Sequence, residues 1–342
     1  LPVRDVVSWS ALITGYAEQG QCHNALNCFE QMQNEHLCPD GVTFICILKA
    51  CGSLGAIDKG KQIHDEILSR GLLDKDVVLG NALVDMYTKF GMVVKAREVL
   101  EELHARDIVS WNTLLSGYAE QGQGHNAFVC LKRMQSEGLS PDIVTFTCIL
   151  KACGRIGTIG IGIQVHEEIV SRGLLKDDLV LGNSLVDMYA KCGFMEKAQR
   201  VLEELPIQNI VVWNTLIGGY AQQGQWEEAL KCFVRMQRKG LCPDAVSFVC
   251  ILKACTGMAS FDDGKQVHIL IIENGLEQDC FITSSLIDMY TAFGSLHDAR
   301  RVFDMVLKRN ELSWSAIVIG YAQHGCSEEA LHLFQKMQLE DA

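Results

Sequence analysis

The string CILKAC begins at Cys46, Cys148 and Cys250, and each copy lies 102 residues after the last. LGNALVDMY at Leu79 returns as LGNSLVDMY at Leu181 and as ITSSLIDMY at Ile282. Trp9, Trp111, Trp213 and Trp314 step by 102, 102 and 101, and Pro39, Pro141 and Pro243 keep the same stride. Self-similarity at a fixed period over the whole chain excludes the two ordinary globular domains that 342 residues would otherwise suggest.

The long period divides into three. Segments opening at Val6, Gly41 and Val77 give repeats of 35, 36 and 31 residues, and the third triplet runs 35, 35 and 31, which accounts for the step of 101. Nine complete repeats therefore run from Val6 to Asn310, a truncated tenth opens at Glu311, and residues 1–342 are predicted to form one stack. Leu1 in place of an initiator Met, with the tenth repeat cut at Ala342, predicts a piece of a longer chain.

Each repeat carries two helical patterns. Trp9, Leu12, Ile13, Tyr16 and Ala17 share one helical face, and Gly20 ends that helix. Ala25, Leu26, Phe29 and Met32 form the second stripe, stopped at Cys38-Pro39-Asp40. A lone pair of helices cannot bury its stripe, so neighbours must stack on one another. The predicted fold is all-α, an α-solenoid with first helices on one surface and second helices on the other. Its hand is left open.

Composition excludes several function classes. With 48% hydrophobic residues the chain can build a core, yet no uncharged apolar run reaches the ~18 residues of a membrane span. Thirty basic against 42 acidic residues, a net −12, argues against the broad basic footprint of a duplex-DNA or membrane binder. The 15 cysteines are an odd number with no C-x-x-C spacing, as expected of reduced, buried thiols.

The layout from Trp213 to Asp244, WNTL-I-GYA…G…AL..F..M……P-D, resembles the pentatricopeptide repeat, and the long–long–short alternation resembles its plant subclass of P, L and S variants. The tetratricopeptide repeat is the close competitor, but its period is ~34 throughout. The resemblance implies single-stranded RNA binding at one base per repeat, read by the fifth and last residues of each repeat. It implies G for Ser10 with Asp40. It implies U for Asn81 with Asp107, Asn112 with Asp142 and Asn214 with Asp244. It implies C for Asn183 with Asn209 and A for Ser284 with Asn310. Thr147 with Asp178 is weakly readable in its class, Ile45 and Val249 offer no hydrogen-bonding group, and Ser315 opens a tenth pair. The expected target is G-n-U-U-n-C-U-n-A. Base-sandwiching falls to the apolar second residues: Val7, Val42, Val78, Val109, Val144, Val180, Val211, Val246, Phe281 and Leu312.

Plainer roles compete for the same residues. Asp and Asn before a helix are favoured N-caps, so the last residues are open to capping, reading or both. Asn in the body of a helix is a poor former, so Asn81, Asn112, Asn183 and Asn214 favour function. The tryptophans at helical spacing are expected in the core rather than as stacking platforms. His64, His166 and His268 are too far apart along a solenoid to share a metal, and no P-C-x-x-C accompanies the H-x-E of His64 or His166. Cys46, Cys51 and their copies are expected to pack. Lys49, Lys151 and Lys253 are open to a phosphate track or a solvated face.

No catalytic constellation or cofactor motif emerges. The resemblance implies a plant mitochondrial or chloroplast protein that selects sites for cytidine-to-uridine editing or other RNA processing. Its partners would be single-stranded RNA, with an editing deaminase or other editing factors, and neither DNA nor membrane. The alternative is a tetratricopeptide-like protein-binding scaffold, for which an acidic balance is ordinary.

Overall fold

The computed structural model describes residues 5–73, 76–176, 178–307 and 309–340. Among these, every regular element is helical: twenty α-helices and one 3-10 turn at Leu174–Lys176. Two compact halves meet in sequence between Leu174 and Leu175.

In the first half the helices pair as α1 (Val6–Glu18) with α2 (Cys22–Asn34), α3 (Gly41–Leu54) with α4 (Ile57–Ser69), α5 (Val77–Lys89) with α6 (Val93–Glu102), α7 (Ile108–Glu120) with α8 (Gly124–Ser136), and α9 (Ile143–Ile156) with α10 (Ile159–Ser171). In the second half they pair as α11 (Leu179–Lys191) with α12 (Met195–Glu204), α13 (Ile210–Gln222) with α14 (Trp226–Arg238), α15 (Ala245–Gly257) with α16 (Phe261–Glu273), α17 (Cys280–Ala292) with α18 (Leu296–Met305), and α19 (Glu311–Gln323) with α20 (Ser327–Glu340). The short repeats lose their residues mainly from the second helix: α6, α12 and α18 have 10 residues where α2, α8 and α14 have 13.

Within each half the first helices pack side by side in chain order, and each second helix packs on its own first helix. Several second helices, such as α2, α8 and α14, also reach the first helix of the next repeat. That sharing buries the stripes and makes an α-solenoid. Trp9, Trp111, Trp213 and Trp314 are at most 1% exposed, so they are core residues as their spacing predicts. The Nε1–H of Trp9 donates to Glu35 Oε2 at 2.9 Å and that of Trp111 to Glu137 Oε2 at 3.3 Å, which offsets the cost of burying the indole nitrogens.

Two glycine positions are dictated by this packing. Gly122, at φ 66° after α7, closes the helix in the left-handed region that residues with a Cβ avoid. At Gly80 a Cβ would meet Leu103 Cδ2 at 2.6 Å, because the shortened α6 brings Leu103 down onto α5.

Candidate nucleic-acid interface

The last residue of every complete repeat is an N-cap. Asp40, Asp76, Asp107, Asp142, Asp178, Asn209, Asp244, Asp279 and Asn310 all accept backbone N–H bonds from the first turn of the helix that follows. Asp142, for example, takes the Thr145 N–H at 2.8 Å. Capping holds each carboxylate or carboxamide still, with one face toward its own helix and the other toward the preceding repeat.

The fifth residues meet these caps at four junctions. Asn112 Nδ2 donates to Asp142 Oδ1 at 3.0 Å and Oδ2 at 3.3 Å. Asn214 Nδ2 donates to Asp244 Oδ1 at 2.9 Å, and Asn81 Nδ2 to Asp107 Oδ1 at 3.3 Å. Ser10 Oγ lies 3.4 Å from Asp40 Oδ1, and it also bonds the Val6 carbonyl at 2.8 Å. Burial pushes the Asp142 carboxyl up, but bonds from Thr145 and Asn112 outweigh it and hold the pKa below the ordinary 3.8. Asp40 and Asp107 are held down in the same way, against the same burial, by Thr43 and Ser10 and by Ser110 and Asn81.

Other predicted pairs do not close. Asn183 makes no hydrogen bond to Asn209, whose side chain caps α13 through Val212 N at 2.9 Å. Ser284 turns its hydroxyl onto its own helix, bonding the carbonyls of Cys280 at 2.9 Å and Phe281 at 3.1 Å, and does not reach Asn310. Thr147 Oγ1 is buried without a partner among the described residues. Ser315 is exposed on α19.

The second residues stand clear of the core. Val7, Val42, Val78, Val109, Val144, Val180, Val211 and Val246 are 53–72% exposed, as are Phe281 at 59% and, slightly less, Leu312 at 48%. The first helices α1, α7, α13 and α19 bury their tryptophans almost completely, so the exposure of Val7, Val109, Val211 and Leu312 on them is not a failure of packing. Around repeat four these residues share one cleft: Val109, Asn112, Asp142 and Val144 line a cavity of about 520 Å³ together with Asp85 and Lys89.

One set of residues went unread in the sequence. The third residue of the following repeat carries a hydroxyl that reaches back to the fifth residue. Thr145 Oγ1 donates to Asn112 Oδ1 at 2.7 Å and Ser247 Oγ to Asn214 Oδ1 at 2.6 Å, while Thr43 Oγ1 lies 2.6 Å from Ser10 Oγ. All three are fully buried. The available signal was the capping box, an N-cap with a polar residue three positions on.

A PPR repeat family model matches residues 4–53, 106–155 and 208–257, and a PPR repeat model matches 42–72, 81–108, 183–210, 281–311 and 312–341. The chain belongs to the pentatricopeptide repeat family. It is 35% identical to a mitochondrial pentatricopeptide repeat-containing protein of Arabidopsis thaliana, over 98% of this chain and 39% of that one. It is 33% identical to a chloroplastic one of the same plant, over 99% of this chain and 42% of that one. The chain thus spans about two fifths of the length of these relatives. Among solved structures, the pentatricopeptide repeat protein PPR10 in complex with an 18-nt psaJ RNA element is similar in fold, with a TM-score of 0.50 and 20% identity over 99% of this chain and 57% of that one.

The remaining polar residues of these pentatricopeptide repeats separate from the pairs. Lys49, Lys151 and Lys253 are exposed on α3, α9 and α15, four residues beyond the fifth position, and none forms an ion pair among the described residues. His64 is buried with Nδ1 2.9 Å from the Tyr87 hydroxyl, and His268 sits 2.8 Å from that of Tyr290. Among the described residues no group of three or more His, Cys, Asp and Glu is placed to hold a metal. Cys51, Cys153 and Cys255 are buried, as packing residues are, whereas Cys46, Cys148 and Cys250 are only half-buried, three residues before the exposed lysines.

Proposed function

We propose that this solenoid reads single-stranded RNA at one base per repeat and selects sites for processing of plant organellar transcripts, cytidine-to-uridine editing foremost. The observation that carries the reading is the hydrogen-bond state of Asn112. A side-chain amide has two N–H donors and two acceptor lone pairs. Asp142 takes one donor and Thr145 occupies one lone pair, which leaves one donor and one acceptor side by side. A uracil edge offers the complement, a ring N–H beside a carbonyl oxygen. Val109 and Val144, exposed on either side, supply apolar surfaces against which a flat base can lie.

The same logic extends to Asn214 with Asp244 and to Asn81 with Asp107. Asn81 Oδ1 is buried with no partner among the described residues, an acceptor that a base N–H would satisfy. Repeat lengths of 35, 36 and 31 support membership of the P, L and S subclass. The editing step itself would lie with a deaminase-like segment or partner, and this stack would supply the address. A mitochondrial or chloroplast location rests on the relatives' names. The PPR10 complex supports RNA as the ligand class.

The test is a gel-shift titration with single-stranded GNUUNCUNA, a scrambled RNA of the same composition, and the duplex. The proposal expects the matched single strand to bind about tenfold or more tighter than either control. Equal weak binding to all three would sink it and favour a protein-binding scaffold, with which the net charge of −12 agrees.

A further inference from the structure

Among the described residues, the third triplet lacks an ion pair that the other two carry. Asp85 and Asp187 hold the ninth position of the first two short repeats, and each is paired four residues on, with Lys89 at 2.8 Å and Lys191 at 2.7 Å. In the third copy the lysine position is Ala292, and Asp288 forms no ion pair among the described residues. Two neighbouring positions change with it. Trp226 replaces Cys22 and Gly124, and Gly257 replaces Ser53 and Arg155.

These substitutions fit one another. With no side chain at Gly257, the Trp226 indole lies against the α15 backbone: a Cβ there would be 2.3 Å from ring carbon Cε2 and 2.6 Å from Cζ2. Beside these substitutions lies a cleft of about 550 Å³ between α13, α15 and α17, walled by Trp226, Val249, Cys250, Lys253, Gly257 and Asp288. Its volume falls within the ~300–1,000 Å³ of ligand sites. Asp288 is exposed at the cleft; partial burial of its carboxyl raises the pKa, and Lys253 works against that rise. Lys253 and Asp288 nonetheless do not pair, so an ammonium and a carboxylate face one cavity with their bonding capacity free.

We propose that this cleft binds a guanine base, stacked on the Trp226 indole, with its N1–H and N2–H donors on the Asp288 carboxylate and its O6 accepting from Lys253. Guanine carries a carbonyl acceptor and two parallel N–H donors on one edge, which match an ammonium and the two oxygens of a carboxylate. Uracil offers one donor between two acceptors. Adenine and cytosine each carry a single amino group and cannot supply two adjacent parallel donors. Repeat eight has Val249 as its fifth residue and so cannot hydrogen-bond a base there, whereas this cleft gives it polar contacts one turn further along α15.

The base could belong to a free guanine nucleotide or to the bound strand, and only the second depends on the RNA-reading proposal. Of five tryptophans, four are at most 1% exposed, so quenching by a nucleotide reports on half-buried Trp226. The full chain is titrated with GMP, AMP, CMP and UMP while tryptophan fluorescence is followed. The proposal expects saturable quenching by GMP at about tenfold or more lower concentration than by the others. Trp226→Phe should abolish the quench with helical circular dichroism retained, and Asp288→Asn should weaken GMP by about tenfold. In the second arm, GNUUNCUNA strands with each base at the eighth position are compared. A preference for G that disappears in Asp288→Asn assigns the cleft to the strand, and GMP binding without it assigns the cleft to a free nucleotide. No G preference in either arm, or G preference unchanged by Asp288→Asn, overturns the proposal. Failure of every RNA to bind would remove the RNA-reading proposal and leave the GMP arm to decide this one.

Discussion

Thr145 Oγ1 lies 2.7 Å from Asn112 Oδ1 and 2.8 Å from Asp142 Oδ1, although Thr145 and Asn112 are 33 residues apart in sequence. The hydroxyl also accepts the Asp142 backbone N–H at 3.2 Å, completing a capping box on α9. One side chain therefore fixes the cap and the orientation of the amide beside it. Turning that amide over would put its oxygen against the Asp142 carboxylate, where two acceptors with no proton between them repel.

Thr145→Val keeps the shape and deletes the hydroxyl. Expected is a stability loss of about 1 kcal/mol from the broken capping box. At the fourth base, preference for U over C should fall several-fold, as losing one orienting hydrogen bond of ~0.5–1.5 kcal/mol would cause. Titrations with RNAs differing only at that base check it, and undiminished selectivity would make Thr145 purely a helix cap.

Asn112→Thr exchanges the amide for a hydroxyl opposite the unchanged Asp142. The expected outcome is a move from U toward G at the fourth base, a mismatched base costing ~1–3 kcal/mol. Competition between the two RNAs measures it. An unaltered preference in a folded variant would reduce Asn112 to a structural residue.

Acid should destabilise the fold in two stages. Burial pushes the imidazoles of His64 and His268 below the ordinary 6.5. The unfolded chain then binds protons more readily, so their contribution is full above 6.5 and declines as pH falls through it. Asp40, Asp107 and Asp142 are held below 3.8, so theirs is full above 3.8 and disappears as pH falls through the lowered folded values. Chemical denaturation across pH should resolve both stages, and the first should shrink in His64→Gln with His268→Gln. A first stage of unchanged size would assign it to other groups.

Ala259 has φ 54°, where the equivalent Gly55 and Gly157 have 68° and 77°. A left-handed conformation costs a residue with a Cβ ~1–2 kcal/mol, and glycine's extra freedom in the unfolded chain returns part of that. Ala259→Gly should therefore raise stability by about 0.5–1 kcal/mol. A denaturation midpoint that falls would show that Ala259 packs in a way its backbone does not reveal.

Local pattern carried most of the fold. The step from Trp9 to Trp111 to Trp213 to Trp314 and the breaks at Gly20 and Pro39 are enough to derive stacked helix pairs, a tryptophan core and caps at Asp40, Asp142 and Asp244. These features depend on helical period, turn chemistry and burial, which act over a few residues and are written in sequence spacing. Pairing at the candidate site was only half legible, because Asn183 with Asn209 has the same spacing logic as Asn112 with Asp142 and yet forms no bond.

By itself the sequence determined the repeat, the helix pairs and the family resemblance, which names candidate pairs across the junctions. Tertiary structure alone decided which of those residues bond, that Ser284 turns back on Cys280, that Thr145 reaches Asn112, and that Trp226 settles on Gly257. The reason is geometric. A hydrogen bond weakens steeply beyond about 3.5 Å or away from its axis. Side chains brought together from positions some 30 residues apart therefore meet or miss by tenths of an ångström, set by how neighbouring helices pack.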